Sequence, residues 1–314
     1  MGARSDRITA DDFVTPPELQ TWRLAAHPAG RIGGVRLTLA LHDGKTRLAE
    51  CYQQVPLRVL PPFHLPDADI ALLYLLNPTA GLLDGDAQLV DVHAGAGTRT
   101  LIVGQSATRI HPAVNGFCTQ QFRIHVERDA LLIVLPGPAI PFHGCRYYQH
   151  VDVTLAEGAR FVWGDLWQAG RHSRGAASER FRFDWLIQNM TVRRSDALVY
   201  RDRFVWQGPW DAERVAWHFD KQLAWANLFA TGAIYRPENS VPVPGQSWFP
   251  TAFGDTCIRW LGEPEALTAN LVAAALTAPG RGSGQRVCLA EILTAGNLAP
   301  NHWFCSCAGE QITT

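Results

Sequence analysis

The sequence predicts a mainly β fold: a helical stack of β-strands, solenoid-like or a layered sandwich, with about two α-helices toward the C-terminus. Two observations carry this expectation. From Trp22 to about Trp206, short runs of Val, Ile, Leu and Phe alternate with Gly, Asp and Pro, which is how strands separated by turns read. The chain also resembles itself: Val90 to Arg99 lies over Val151 to Arg160 with five of ten positions identical. Phe122 to Ala130 has the same shape, and Thr191 to Val199 reads as a fourth copy. The turn positions Gly97, Asp129, Gly158 and Asp196 are 32, 29 and 38 residues apart. Each unit is a strand, a tight turn and a more apolar strand. Such a unit cannot bury its own apolar face, so its neighbours must stack on it. Consecutive hairpins in an ordinary sandwich give a similar texture, and the uneven steps leave that alternative open.

The elements follow in chain order. Residues 1–21 read as a flexible lead ending at Pro16-Pro17. Residues 22–261 form the β-stacked domain, and residues 262–314 a helical and irregular extension of it. Trp210 to Gln222 predicts a helix, with Val215 and Phe219 at helical spacing and Asp211 as its N-cap. Leu223 to Ile234 either continues that helix or returns to strand. Pro237 to Pro250 reads as a loop and Thr256 to Leu261 as a strand. Glu263 to Ala278 predicts a second helix, stopped by Pro279-Gly280. Asn297 to Thr314 has no readable period.

Composition narrows the function. The chain has 314 residues, 28 basic and 29 acidic, for a formal net charge of −1. No global basic field is available for nucleic acid. The longest apolar run, Ile70 to Leu76, is far short of the ~18 residues that a membrane span needs. Neither nucleic acid nor membrane is therefore an expected partner. Met1 to Phe13 lacks the apolar stretch of a secretory signal. Seven cysteines stand at irregular spacings with no CxxC pair, which suits a reducing cytoplasm better than a disulfide framework. A nucleophile elbow, a Walker loop, HExxH and an EF-hand loop are all absent. The chain is expected not to be an enzyme, and no catalytic residue is assigned.

Several segments carry chemistry, each beside a plainer reading. Asn77 to Asp86 holds Asp84 and Asp86, either an acidic corner that holds or passes a cation or a turn whose carboxylates bind backbone amides. Thr108, at a strand exit with Gln105 and Ser106, belongs to a polar wall or to an ordinary polar strand face. His143-x-Cys145 offers a nitrogen and a sulfur acceptable to Ni or Zn, or sits in a rigid packed corner. Asp165, Glu179 and Asp202 lie amid apolar or aromatic neighbours, where acids are paired or hydrogen-bonded. Arg171, Arg174, Arg201 and Arg203 are nearby partners. The repeat brings Asp202 within one residue of Asp165 on stacked units. Cys305-x-Cys307, after His302, is a candidate soft-metal clip.

In this order and spacing, these segments resemble the UreD family of urease accessory proteins, called UreH in some bacteria. Asn77 to Asp86 is similar to the family's Asn/His-Pro-x-Gly-Gly-x-x-x-Gly-Asp turn. Ser106-Ala107-Thr108-Arg109 and the Leu132 to Arg146 corner are similar to two further motifs. Gly164 to Arg171 resembles its Trp-Asp-Leu-x-x-x-Gly-Arg segment, and Arg174 to Phe181 the segment that follows. The chain departs from the pattern at Ala80 (a family Gly), Ile133 (a Glu) and Gly164 (a Trp). Ala176-Ala177-Ser178 reads as an insertion, and the family's closing Arg-Pro and Pro-Arg-Ile/Val-Trp segment is not found after Leu261.

The resemblance implies a mostly β maturation protein that binds apo-urease subunits, UreF and the GTPase UreG. A homodimer within the accessory complex stays open. It implies no permanently bound cofactor and a transient Ni²⁺ that moves through an internal polar passage. By motif position, Asp86, Thr108, Asp165 and Asp202 fall on polar positions of that passage. Asp84, Glu179, His143 and Cys145 are secondary candidates from their own chemistry. Two competing readings remain: a β-solenoid carbohydrate-active enzyme using Asp165, Asp202 and an Arg, and a protein-binding scaffold with no metal role.

Overall fold

The first three repeat units each send their two strands to two different sheets, so a stack of units becomes a two-layer sandwich. The computed structural model describes residues 7–24, 30–65, 70–171, 179–232 and 245–276. Arg174, the insertion at Ala176 to Ser178, Asn297 to Thr314 and the Cys305-x-Cys307 clip with His302 lie outside the described residues.

In chain order the strands begin with β1 (Ile32–His42), β2 (Lys45–Gln54), β3 (Arg58–Val59), β4 (Phe63–Leu65), β5 (Ile70–Leu76) and β6 (Ala87–Ala94). Next come β7 (Arg99–Gly104), β8 (Thr108–Ile110), β9 (Cys118–Val126), β10 (Leu131–Leu135), β11 (Pro138–Pro141) and β12 (Arg146–Leu155). Then follow β13 (Arg160–Gln168), β14 (Trp185–Arg194), β15 (Ala197–Gln207), helix α1 (Ala212–Phe219) and β16 (Ala224–Ala230). The series ends with β17 (Gln246–Pro250), β18 (Thr256–Gly262) and helix α2 (Pro264–Leu276).

The first sheet has seven strands in the order β15-β14-β12-β9-β6-β1-β2, and the second has eleven, with β17-β18-β16-β13-β10-β7-β5-β3 as its main path. The middle of each sheet is parallel, and the outer pairings β1–β2, β14–β15 and β13–β16–β18 are antiparallel. The repeat is the ladder itself. Val90 pairs with Phe122 and Phe122 with Val151, steps of 32 and 29 residues. In the second sheet Arg99, Leu131 and Arg160 pair with the same two steps. Gly97, Asp129 and Gly158 all adopt the left-handed conformation the turns require, at φ 71, 57 and 72°. The fourth unit differs. Val151 pairs with Met190, a step of 39, and Ser195 rather than Asp196 takes the left-handed φ. Its second strand, β15, folds back antiparallel on β14 instead of crossing to the other sheet.

Two apolar cores fill the space between the sheets, one around Val90, Phe122, Val151 and Trp163, the other around Tyr147, Trp167, Phe181 and Trp225. A third joins the outer face of the second sheet to α2 through Leu267, Leu271 and Leu276. Both expected helices are present. Asp211 caps α1 by accepting the Arg214 N–H at 2.8 Å. The segment after α1 returns to strand as β16, and the end of the expected Pro-rich loop is strand β17. The N-terminal lead has two 3₁₀ turns, and Leu19 of the second and Ile8, ahead of the first, are 0% and 1% exposed. Gln121 ties the lead down, donating to the Val14 carbonyl and accepting its N–H. Among the described residues, no helix is long and apolar enough to cross a membrane.

Candidate functional site

On five strands a polar residue interrupts the apolar alternation at the same level. Gln120 lies between Cys118 and Phe122, Gln149 between Tyr147 and Val151, and Gln188 between Leu186 and Met190. Opposite them, Asp165 lies between Trp163 and Trp167, and Asn227 between Trp225 and Phe229. In every case one flanking residue belongs to the first intersheet core and the other to the second. Side chains two apart on a strand share a face, so these residues point between the sheets. Gln88 on β6 extends the row. Register aligns Gln88, Gln120, Gln149 and Gln188 across four neighbouring strands. The result is a polar belt across the sandwich, with an apolar core on either side.

The belt is hydrogen-bonded but not saturated. Gln120 donates to Gln88 Oε1 at 3.1 Å and Gln188 donates to Gln149 Oε1 at 2.7 Å. The Gln88 Nε2 is buried with no partner among the described residues, a costly state for an amide in an apolar interior. Asp165 is the centre of the opposite wall. Its carboxylate accepts from Trp163 Nε1 and Asn227 Nδ2, both at 2.9 Å, and from Gln188 Nε2 across the sheets. Burial pushes its carboxyl above the usual range against those three donors, and the like charge of Asp202 adds to the rise. Asp202, on β15, is held by Arg259 Nη2 at 2.8 Å. Asn227 and Arg259 are themselves opposite one another on β16 and β18.

The belt borders two cavities. Thr108, Asn77, Ser106 and Gln120 line a small one of about 40 Å³. Asp202, Asn227, Arg259 and Trp225 line an open one of about 550 Å³. Thr108, Asp165 and Asp202 therefore belong to one polar tract, although they come from strands far apart in sequence.

The remaining candidates lie elsewhere. Asp84 accepts the N–H groups of Val114, Asn115 and Gly116 at 2.8–2.9 Å. Asp86 accepts those of Arg31 and Leu83 at 2.7 and 2.8 Å, and burial raises its carboxyl. Both acids thus bind backbone amides, the plainer of the two expectations: Asp86 through Leu83 of its own turn and Arg31, and Asp84 through the 114–116 segment. Glu179 is paired with Arg171, whose hydrogen bond holds its carboxyl low. His143 is exposed whereas Cys145 is fully buried. Burial pushes the Cys145 thiol up, and it is the thiolate that binds metals. A glycosidase needs both carboxyl groups open to a sugar, and Asp165 is only 3% exposed.

Sequence reasoning missed Gln88, Gln120, Gln149, Gln188, Asn227 and Arg259. The signal for the first three was present: continuing the 32- and 29-residue steps two positions upstream of Val90 lands on a glutamine in each unit.

Comparison with known proteins adds a family. The profile of one family, UreD urease accessory protein, matches residues 31–243. The urease accessory protein UreD of Deinococcus radiodurans is 37% identical over 174 residues, 55% of this chain and 61% of the relative. UreD 2 of Streptomyces griseus is 31% identical over 178 residues, 56% of this chain and 60% of the relative. UreH of Helicobacter hepaticus is 30% identical over 158 residues, 50% and 61% of the two chains. The matched segment thus spans about three fifths of the length of these relatives.

Proposed function

Because this chain belongs to the UreD urease accessory protein family, we propose that it serves urease maturation without catalysis, and that Ni²⁺ passes along its polar belt. The observation that supports this reading is a tract of buried carboxamides and carboxylates reaching from the Thr108 cavity to the Asp202 cavity. A conduit has to replace enough of an ion's hydration to admit it and hold it weakly enough to let it leave. Neutral amide oxygens with an occasional carboxylate meet that condition, whereas a closed set of thiolates and imidazoles traps Ni²⁺. Burial pushes the nearby Cys118 and Cys145 thiols up, which keeps soft thiolate ligands out of the tract.

In this reading Asp165 is the central transient ligand. Asp202, paired with Arg259, guards the wider mouth, and Thr108 lies at the narrow one. Asp84 and Asp86 shape the backbone beside that mouth. The cargo comes from a nickel-carrying GTPase of the UreG type and goes to apo-urease, with UreF in the same cytoplasmic assembly. These partners are part of the proposal.

The test is co-expression of the chain with urease and the other accessory proteins of the same cell. Asp165→Asn and Asp202→Asn should each lower urease activity and its nickel content by about tenfold, the low end of the loss that removing even an outer-shell partner of a metal causes. Pull-down should recover the same partners with wild type and variants. Normal activation by both folded variants would refute the conduit, and failure to recover any urease component with wild type would refute the maturation role.

A further inference from the structure

We infer that the outer face of the seven-stranded sheet carries a separate metal site, His93, His125 and Glu127, for a divalent transition-metal ion such as Ni²⁺ or Zn²⁺. His93 on β6 and His125 on β9 are direct neighbours in the parallel ladder. Their rings stack with centroids 5.0 Å apart and planes 15° apart. Glu127 follows immediately after β9. Its Oε1 is 3.1 Å from His125 Nε2 and 3.7 Å from His93 Nε2, so both imidazoles turn the same nitrogen toward one carboxylate oxygen. The three ligand atoms all lie within 4.8 Å of one another.

The donor set suits the ion. Two imidazoles and a carboxylate are common ligands for borderline metals, and three protein donors leave a position for water or a fourth ligand. A tetrahedral ion with bonds of ~2.1 Å sets its ligand atoms roughly 3.4 Å apart. Reaching that spacing takes small rotations of side chains that are 46%, 43% and 37% exposed. The backbone spacing is already fixed by the ladder, which lowers the cost of assembling the site.

The site is distinct from the belt. Gln88 and His93 lie on one strand five residues apart, which puts them on opposite faces and about 17 Å apart along it. The 32-residue repeat explains why no short motif reveals the pair: His93 and His125 are equivalent positions of successive units. An exposed, three-donor site of this kind loads and unloads ions rather than locking one into the fold. The inference does not depend on the conduit reading.

The test uses the full chain without a histidine tag, dialysed against Ni²⁺ and, separately, Zn²⁺. A His93→Gln/His125→Gln double variant should bind one equivalent fewer than wild type. Glu127→Gln should retain that equivalent with affinity reduced about tenfold. Asp165→Asn should leave it unchanged, and circular dichroism should show every variant folded. Equal stoichiometry and affinity in the double variant and wild type would overturn the site. So would loss of the equivalent in Asp165→Asn with its retention in the double variant, since that places the ion in the belt.

Discussion

Asp165 receives three side-chain hydrogen bonds and still has its carboxyl raised, because burial outweighs them. The folded chain therefore holds this proton more tightly than the unfolded chain does. The stability linked to it is fully present below the ordinary value of 3.8 and is lost as pH rises through the folded value. Thermal unfolding of wild type should accordingly show a decline in midpoint across the carboxylate range that Asp165→Asn lacks. Parallel pH curves for the two proteins would contradict this. The acids were legible in the sequence because a carboxylate among aromatic residues attracts notice. The glutamines were not, since a single Gln in a strand is ordinary and only the alignment of four makes a tract. Asp84 and Asp86 show the opposite limit: their spacing marks a turn, but spacing does not say which atoms a carboxylate faces.

At the scale of elements, departures from the family pattern acquire local reasons. Ile133 is 2% exposed and packs in the core shared with α2, on the far side of the second sheet from the belt. Gly164 is a seat for that helix: a β-carbon there would stand 2.7 Å from Leu135 Cδ2 and 2.9 Å from Leu271 Cδ1. A large side chain at this position needs the Leu135 and Leu271 side chains to give way. Gly164→Leu should therefore cost about 1–3 kcal/mol by overpacking, and Leu271→Ala about 2–5 kcal/mol by leaving a cavity, both read from denaturant midpoints. Ala80 is exposed, while its neighbour Gly81 adopts φ 130° with Arg109 O only 2.2 Å from any added β-carbon. Gly81, like Gly85 at φ 83°, is thus a glycine that the turn requires, whereas position 80 requires none. The helices, the N-cap at Asp211 and the first two repeat steps were legible because each rests on local pattern. The return of β15 onto β14 was not, since edge formation depends on where the stack ends.

For the whole molecule, the belt is a sacrifice of core. Replacing hydrogen-bonded buried pairs by apolar groups of similar shape is commonly neutral or stabilising. Gln88→Leu/Gln120→Leu removes one such pair together with the unpartnered Gln88 Nε2. The double variant should unfold at the same midpoint as wild type or higher, yet support less urease activation. A clear loss of stability would mean that the pair holds the sandwich together rather than keeping its interior polar.

The register of the parallel ladder also governs how the chain reaches this shape. Paired residues on neighbouring strands at the centre of the first sheet stand 55, 32, 29 or 39 positions apart in the sequence. Each closure orders a long loop before its contacts repay the entropy, which makes for slow folding. Until the last unit docks, the growing stack ends in a strand whose amides and carbonyls are unpaired, a template that any other extended segment can join. During synthesis that segment is normally the next one out. At high concentration after dilution from denaturant, it is equally a strand of another molecule, so refolding yield should fall steeply as protein concentration rises.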